Sequence, residues 1–164
     1  MYSELLTLLK NCSGRIAAAE SCTGGLVAAA LTDIPGISEV FAGGVVAYEN
    51  EVKNRLLDVP MSVFETVGAV SEECARFMAV GAAKACQTDF AVSTTGIAGP
   101  GGAVPGKPVG TVCIGYYLKG KVIAETNHFS GNRSEVRAAA VHRALSHIIE
   151  LIKEENLSSD PNIG

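Results

Sequence analysis

One short polar stretch interrupts an apolar passage near the beginning of the chain. The sequence A-A-A-E-S-C-T-G-G places Ser21 and Cys22 between a predicted buried strand and a predicted helix. A serine at such a turn lies beside main-chain N–H groups that have no helical partner and can hold the oxyanion of a tetrahedral intermediate. Gly24 and Gly25 would let a substrate approach the main chain closely. We therefore interpret Ser21 as a candidate nucleophile, with Thr23, Gly24 and Gly25 as candidate substrate-binding residues.

Two other interpretations of this stretch stay open. Ser21 and Thr23 are of the residue types that often cap a helix, and the G-x-S-x-G pattern of a nucleophile elbow is absent. Cys22 is a rival nucleophile, because a thiol at a helix N-terminus is expected to have a lowered pKa. Adjacent residues that leave a strand point in different directions, so only one of Ser21 and Cys22 can face the site.

The segment Y-E-N-E-V-K supplies a possible base for a serine nucleophile. No histidine lies near these clusters in sequence, and a neutral lysine is the alternative if its pKa falls from about 10.4 toward roughly 7–8. If Asn50 caps the following helix, Lys53 falls in the first turn, where the helix dipole and burial both disfavour an ammonium. Tyr48 would relay a proton or orient the lysine, and Ser21 is then favoured over Cys22. The pair Tyr48 and Lys53 also fits a strand-end aromatic residue and a solvated charge.

A glycine-rich loop over residues 96–110 offers a place for an anion. Successive N–H groups around Gly96 and Gly99 can turn inward and form a nest for a phosphate or carboxylate. Lys107 in the same loop, and Arg133 at the start of the last helix, would neutralise a phosphate. The pattern is neither a Walker A loop nor G-x-G-x-x-G, and a merely flexible loop fits the composition equally well.

Apolar periodicity predicts the elements that must position these residues. Helices are predicted over six segments: 2–11, 23–32, 51–57, a short piece from Pro60, 71–86 and 133–153. Strands are predicted over five segments: 15–20, 43–48, 89–95, 111–118 and 121–129. Ser71 is expected to cap the 71–86 helix, whose inner face would include Cys74, Phe77, Met78 and Gly81. The two-residue turn Lys119-Gly120 is typical of a hairpin between the last two strands.

This order of elements indicates how the sheet is built. Helices and strands alternate early and a hairpin comes late, which predicts a three-layer α/β/α sandwich with a mixed sheet. Ligands of such folds gather at the carboxyl ends of strands. Since Ser21, Tyr48 and the cluster Ser93-Thr94-Thr95 each follow or end a strand, we expect them to meet in one site.

The composition bounds the class of protein. With 164 residues, of which 48% are hydrophobic and 18% charged, we expect one domain over residues 1–155 and a polar, flexible tail over 156–164. The formal net charge of −4 argues against general attraction to nucleic acid or an anionic membrane. No apolar run approaches the length of a transmembrane helix, and the N-terminus is interpreted as the first helix of a cytoplasmic protein.

Neither a disulfide framework nor a metal or cofactor site is expected. The three histidines lack the H-E-x-x-H spacing, and the five cysteines contain no C-x-x-C pair. The cysteines are Cys12, Cys22, Cys74, Cys86 and Cys113.

Five ordered motifs together resemble a known family. These are A-A-E-S-C-T-G-G, Y-x-N-x-x-K, G-A-V-S, G-I-A-G-P and K-P-V-G-T-V, and they are similar to the C-terminal domain of the CinA (competence/damage-inducible) family over residues 3–153. The resemblance implies an α/β/α sandwich that deamidates nicotinamide mononucleotide to nicotinate mononucleotide and ammonia. It implies that Ser21 is the nucleophile and that Tyr48 and Lys53 assist it, without a metal.

The same resemblance gives the expected partner, a small-molecule pyridine nucleotide. The 96–107 loop and Arg133 would bind its phosphate, and Asn50 or Thr95 its ribose or amide. N–H groups around Thr23 and Gly24 would stabilise the oxyanion. We also expect a homo-oligomer, such as a homodimer, because the small-residue helices are hydrophobic.

Two other classes of function stay open beside the amidase. One is a catalytically silent nucleotide-binding module linked to competence or DNA damage, which would bind its ligand without turnover. The other is a cysteine hydrolase on the same fold, with Cys22 as the nucleophile.

Overall fold

A computed structural model describes residues 1–158 of the chain. Its five strands are β1 (Ile16–Glu20), β2 (Phe41–Val46), β3 (Phe90–Gly96), β4 (Thr111–Leu118) and β5 (Lys121–His128). Its α-helices are α1 (Glu4–Asn11), α2 (Leu26–Thr32), α3 (Asn50–Leu57), α4 (Met61–Thr66), α5 (Glu72–Cys86) and α6 (Arg133–Ser158).

The strands form one mixed sheet in the order β2-β1-β3-β4-β5. β1 pairs in parallel with β2 and β3, whereas β4 is antiparallel to both of its neighbours. One core cluster lies under α1, α2 and α6, and a second lies under α3, α4 and α5 on the opposite face of the sheet. The predicted three-layer α/β/α sandwich with a mixed sheet is confirmed. Among the helices of residues 1–158, none combines the length and the apolar character needed to cross a bilayer.

The centre of the sheet is the short strand β1, whose five residues are all buried. Its pairing continues beyond its last residue, because the Ala47 N–H donates to the Glu20 carbonyl at 2.8 Å and the Ser21 N–H donates to the Thr94 carbonyl at 2.9 Å. Neighbouring strands lie about 4.8 Å apart. The segments that leave β1, β2 and β3 therefore emerge side by side at one edge of the sheet.

Helix α3 packs closely on α5 at Gly81. A Cβ atom added at Gly81 would overlap the Leu57 carbonyl group and lie 2.8 Å from the Leu57 Cα. Both partners are backbone, so neither can move away as a side chain would. The glycine sets the depth at which α3, and with it Lys53, lies against the sheet.

Helix α2 begins three residues later than predicted. The structure starts it at Leu26 rather than at Thr23. Gly24 and Gly25 have φ values of 58° and 107°, in the left-handed region that glycine adopts easily, so the chain turns there before the helix begins. These two glycines thus form the turn rather than the first helical residues.

The connection from β2 to α3 also differs in detail. β2 ends at Val46, two residues before the predicted end at Tyr48. Asn50 is the first residue of α3, and Glu49 occupies the cap position without a side-chain capping bond. The prediction that Asn50 caps this helix is wrong by one residue, but Lys53 still lies in the first turn.

Three expectations for the long helices can be compared with the structure. Ser71 caps α5 as predicted, since its hydroxyl accepts a hydrogen bond from the Cys74 N–H at 3.1 Å. Phe77 was expected on the inner face but is 41% exposed, because the buried stripe of α5 runs through Cys74, Met78 and Gly81 instead. Helix α6 extends to Ser158, so the start of the predicted tail, 156–158, is helical and its remainder lies outside the described residues.

Gly81→Ala is expected to destabilise the protein. Alanine gains roughly 1 kcal/mol of helix propensity over glycine, whereas a clash between two main chains costs about 1–3 kcal/mol or more, so the clash decides the sign. The measurement is the free energy of unfolding in urea. Gly101→Ala is the control, because nothing lies within 4 Å of a Cβ atom there, and its effect should stay within about 0.5 kcal/mol. Equal stability of the two variants would contradict the packing argument.

Candidate functional site

Ser21 lies on a tight turn directly after β1. Its carbonyl accepts a hydrogen bond from the Gly24 N–H at 3.1 Å, which closes the turn. The Ser21 side chain is 8% exposed, and its hydroxyl makes no hydrogen bond with any residue of the described chain. Within residues 1–158, no other residue accepts a hydrogen bond from the N–H of Cys22 or Thr23, and the Cys22 N–H interacts only with its own thiol. The hydroxyl of the candidate nucleophile and two main-chain donors therefore share one turn.

The N-terminus of α2, which follows this turn, is capped by the Glu20 side chain. Its carboxylate accepts hydrogen bonds from the N–H groups of Gly25, Val27 and Ala28, at 3.2, 2.8 and 3.0 Å. The expectation that Ser21 or Thr23 caps the helix is wrong, because a carboxylate already occupies the cap. Of the three substrate-binding candidates here, Thr23 keeps an unpartnered N–H, whereas those of Gly24 and Gly25 are engaged.

Lys53 is buried although it carries an amine. It is 1% exposed, and its Nζ donates a hydrogen bond to the Tyr48 carbonyl at 2.8 Å. Burial lowers the pKa of the Lys53 ammonium, and the nearby Cys74 and Cys22 thiols act in the opposite direction. The solvated-charge interpretation of Lys53 is wrong. Tyr48 follows Ala47, whose N–H pairs with the Glu20 carbonyl, so the amine lies at the edge of the sheet where the Ser21 turn begins, and it interacts electrostatically with Cys22 of that turn.

The Tyr48 side chain points to a different partner from its carbonyl. Tyr48 is 60% exposed, and its hydroxyl accepts a hydrogen bond from Arg133 Nη2 at 3.2 Å. Arg133 Nη1 also donates to the Gly99 carbonyl at 2.8 Å. The structure thus joins the β2 end, the glycine-rich loop and the start of α6 through one guanidinium. Lys53 is oriented by the Tyr48 main chain rather than by its phenol.

Four other predicted residues lie apart from this cluster or at its rim. The Thr95 hydroxyl donates to the Ala69 carbonyl at 2.8 Å, and Gly96 lies within β3 against β4. Lys107 Nζ donates to the Val67 carbonyl and lines a separate cleft of about 360 Å³ with His128. Asn50 lines a shallow surface depression with Tyr48, Glu49 and Glu51.

Cys22 is a poor nucleophile in this structure. Its side chain is 5% exposed and packs in the core cluster beneath α2 and α6. Burial raises the pKa of the Cys22 thiol to about 12, helped by the Glu20 charge. The expected lowering of this pKa is wrong, because the helix N-terminus that would stabilise a thiolate already binds the Glu20 carboxylate.

Two further residues hold the turn: Arg137, which sequence reasoning missed, and Thr94, which belongs to the Ser93-Thr94-Thr95 cluster expected at this edge of the sheet. Arg137 Nε donates to the Cys22 carbonyl at 3.0 Å, and its Nη2 donates to the Thr23 carbonyl at 3.1 Å. Arg137 lies four residues after Arg133 and therefore on the same side of α6, and this spacing is the sequence feature that could have identified it. Thr94 contributes its carbonyl to Ser21 and its hydroxyl to Thr23, at 2.7 Å. No group of three or more His, Cys, Asp or Glu side chains within 1–158 is arranged to hold a metal ion.

Comparison with known proteins places the chain in a family. The family model of the CinA C-terminal domain matches residues 1–152. This chain belongs to the CinA C-terminal domain family. A CinA-like protein of Dictyoglomus thermophilum is 46% identical over 144 residues, which are 88% of this chain and 35% of that protein. A CinA-like protein of Petrotoga mobilis is 43% identical over 153 residues, which are 93% of this chain and 38% of that protein.

Solved structures of CinA superfamily proteins have the same fold. One from Escherichia coli has a TM-score of 0.89 and 35% identity, covering 92% of this chain and 87% of its own. A competence/damage inducible protein from Agrobacterium tumefaciens has a TM-score of 0.87 and 40% identity, with 92% of each chain covered. The chain spans about a third of the length of the two CinA-like relatives. The α/β/α sandwich, with the carboxyl ends of β1, β2 and β3 at one edge of the sheet, is thus the fold of the family.

Lys53→Met should change how stability depends on pH. A lowered pKa means that the native state binds the Lys53 proton more weakly than the unfolded chain does, whose reference value is 10.5. Wild-type stability should therefore rise relative to the variant as pH increases from 7 toward 10. The measurement is the free energy of urea unfolding across this range.

The control for this experiment is Lys84→Met. Lys84 is exposed, and its hydrogen bond to Asp58 raises its pKa. Relative to this variant, wild-type stability should stay level up to about pH 10 and fall above it, the opposite sign. Parallel curves for wild type and Lys53→Met would contradict the lowered pKa of Lys53.

Proposed function

We propose that the chain is an amidohydrolase that releases ammonia from nicotinamide mononucleotide, with Ser21 as nucleophile and Lys53 as its base. The observation that carries the proposal is a buried lysine with a lowered pKa, anchored beside a serine turn. Burying a lysine lowers the stability of the fold, which is expected where the residue has a function. A neutral amine is the form that accepts a serine proton. The pyridine nucleotide is the substrate that the family motifs imply.

The first half of the reaction forms an acyl-enzyme. Neutral Lys53 takes the Ser21 proton, and the Ser21 Oγ attacks the carboxamide carbon. The developing oxyanion accepts hydrogen bonds from the N–H groups of Cys22 and Thr23, which other groups in 1–158 leave unengaged. Protonated Lys53 then gives its proton to the departing nitrogen, and ammonia leaves.

The second half repeats the same proton transfers with water. Lys53 takes a proton from water, which attacks the ester carbonyl of the acyl-enzyme. The carbon–Ser21 bond breaks, the Lys53 proton returns to Ser21, and nicotinate mononucleotide is released. The Tyr48 carbonyl holds the lysine in place through both halves.

The phosphate of the nucleotide is assigned to Arg133. Its guanidinium already bridges the Tyr48 hydroxyl and the Gly99 carbonyl, at the exposed rim of the cluster. A planar guanidinium matches a phosphate bidentately. Glu49 and Glu51 line a surface depression with Tyr48 and Asn50, where their charges would repel a phosphate, so Asn50 is assigned to the neutral ribose instead.

Ser21→Ala should abolish ammonia release from nicotinamide mononucleotide. Removing a catalytic nucleophile leaves at most the contribution of binding and the oxyanion donors, so a loss of about 10³-fold or more is expected. Cys22→Ala is the matched control on the adjacent residue and should keep kcat within about threefold. Full activity of Ser21→Ala, or selective loss in Cys22→Ala, would contradict the serine mechanism. Tight nucleotide binding by the wild type without ammonia would favour the silent module.

Arg133→Gln should weaken substrate binding more than turnover. A phosphate contact is made in both the ground state and the transition state, so KM should rise by about tenfold or more with kcat changed only a few-fold. Steady-state kinetics measure both constants. Lys121→Gln removes a charge from an exposed site on β5 and should change neither. An unchanged KM in Arg133→Gln would place the phosphate elsewhere.

A further inference from the structure

Glu20 is a buried carboxylate that has no ion-pair partner among residues 1–158. It is 1% exposed, and none of the ion pairs in this part of the chain includes it. Burying an ionised group is costly unless hydrogen bonds replace its water. Four donors do so here: the Thr23 hydroxyl at 2.6 Å and the N–H groups of Gly25, Val27 and Ala28. The carboxylate is thus fully committed to residues that follow it in the chain.

The Thr23 hydroxyl extends this contact to the neighbouring strand. Because its single proton goes to Glu20, the 2.7 Å contact between the Thr23 and Thr94 hydroxyls must have Thr94 as the donor. Thr94 also accepts the Ser21 N–H through its carbonyl. The turn is therefore tied to β3 by both the main chain and the side chain of one residue.

These bonds enclose Ser21 on both sides. Glu20 precedes Ser21, and its side chain folds over the turn to bind Thr23 and Gly25, which follow. The main-chain bond from the Gly24 N–H to the Ser21 carbonyl closes the same turn. The orientation of each peptide group between Ser21 and Gly25 is consequently fixed, including the two that carry the free N–H donors.

We propose that Glu20 is a positioning residue for acyl transfer at Ser21, an inference that rests on the proposed function. Its carboxylate holds the turn so that the Cys22 and Thr23 N–H groups point to where the oxyanion forms. Such donors stabilise the transition state more than the bound substrate. Loss of the carboxylate should therefore lower kcat and leave KM nearly unchanged, which a role in helix stability alone would not do.

Glu20→Gln is the main test. The amide oxygen can replace the oxygen that binds Thr23, Gly25 and Val27, but the amide nitrogen cannot accept the bond from the Ala28 N–H. A misplacement of about 1 Å at a reacting centre costs on the order of 10²-fold, so kcat for ammonia release should fall by about that factor with KM within threefold. The second readout is the rate at which a fluorophosphonate labels Ser21, followed by intact mass, and it should fall in parallel.

A matched control separates positioning from capping. Ser71→Ala removes the side-chain cap of α5, which accepts the Cys74 N–H, but leaves the Ser21 turn untouched. Loss of a cap costs about 1 kcal/mol of stability. This variant should lower the thermal midpoint while kcat and the labelling rate stay within twofold. A comparable loss of both in Ser71→Ala would overturn the proposal, since general destabilisation would then explain the effect.

A second pair of variants keeps the test decisive if Glu20→Gln does not fold. Thr94→Val removes the hydroxyl that donates to Thr23, whereas Thr94→Ser keeps it. Thr94→Val should lower kcat and the labelling rate by about tenfold, and Thr94→Ser should restore them. Wild-type values in Glu20→Gln, or in Thr94→Val where the first variant is unfolded, would overturn the proposal.

The labelling rate distinguishes failure of this proposal from failure of the proposed function. A wild type that is labelled at Ser21 but releases no ammonia overturns the nucleotide substrate only, and the labelling rates of the variants then decide the role of Glu20. A wild type that is neither labelled nor active overturns both.

Discussion

The candidate site depends on the parallel ladder that flanks β1 and continues beyond its last residue. The Glu20 carbonyl accepts from the Ala47 N–H on one side, and the Ser21 N–H donates to Thr94 on the other. Because these bonds align three chain segments at the same height, the residue after each strand comes to one edge of the sheet. The serine turn and the Tyr48 carbonyl become neighbours there without any direct bond between them. An antiparallel β1 would have sent its carboxyl end to the opposite edge.

Two buried ionisable groups flank this ladder, and the fold treats them in opposite ways. The Glu20 carboxylate receives four hydrogen bonds, three of them from N–H groups at the start of α2. Lys53 receives one carbonyl as its partner, so burial is poorly compensated and its pKa is lowered. The four hydrogen bonds hold the Glu20 carboxylate in place, whereas burial favours loss of the Lys53 proton. A charged anchor beside a readily neutral amine is the division of tasks that serine activation by lysine requires.

The sequence was sufficient for the sheet and the layers, because alternating periodicity and five ordered motifs carry that information, and it pointed to the turn after β1 as the candidate site. It was insufficient for the local contacts. The start of α2 depends on the left-handed backbone conformation of Gly24 and Gly25. Two glycines can adopt this conformation, but their presence in the sequence does not require it. Once the helix starts at Leu26, Glu20 reaches its free N–H groups, and the capping role moves from a hydroxyl to a carboxylate. The exposure of Phe77 likewise follows from how α5 rests on the sheet, which helical periodicity alone does not determine.

The position of Lys53 links stability to the proposed chemistry. A buried amine would be more stable in contact with water, so α3 must be held firmly to keep Lys53 buried. Gly81 permits the close contact of α3 with α5, and the Tyr48 carbonyl supplies the remaining polar contact. A histidine base would not need this burial, because its ordinary pKa already lies near neutrality. A lysine base does need it, so in this fold the packing of α3 against α5 is itself part of what sets the protonation state of Lys53, the proposed base.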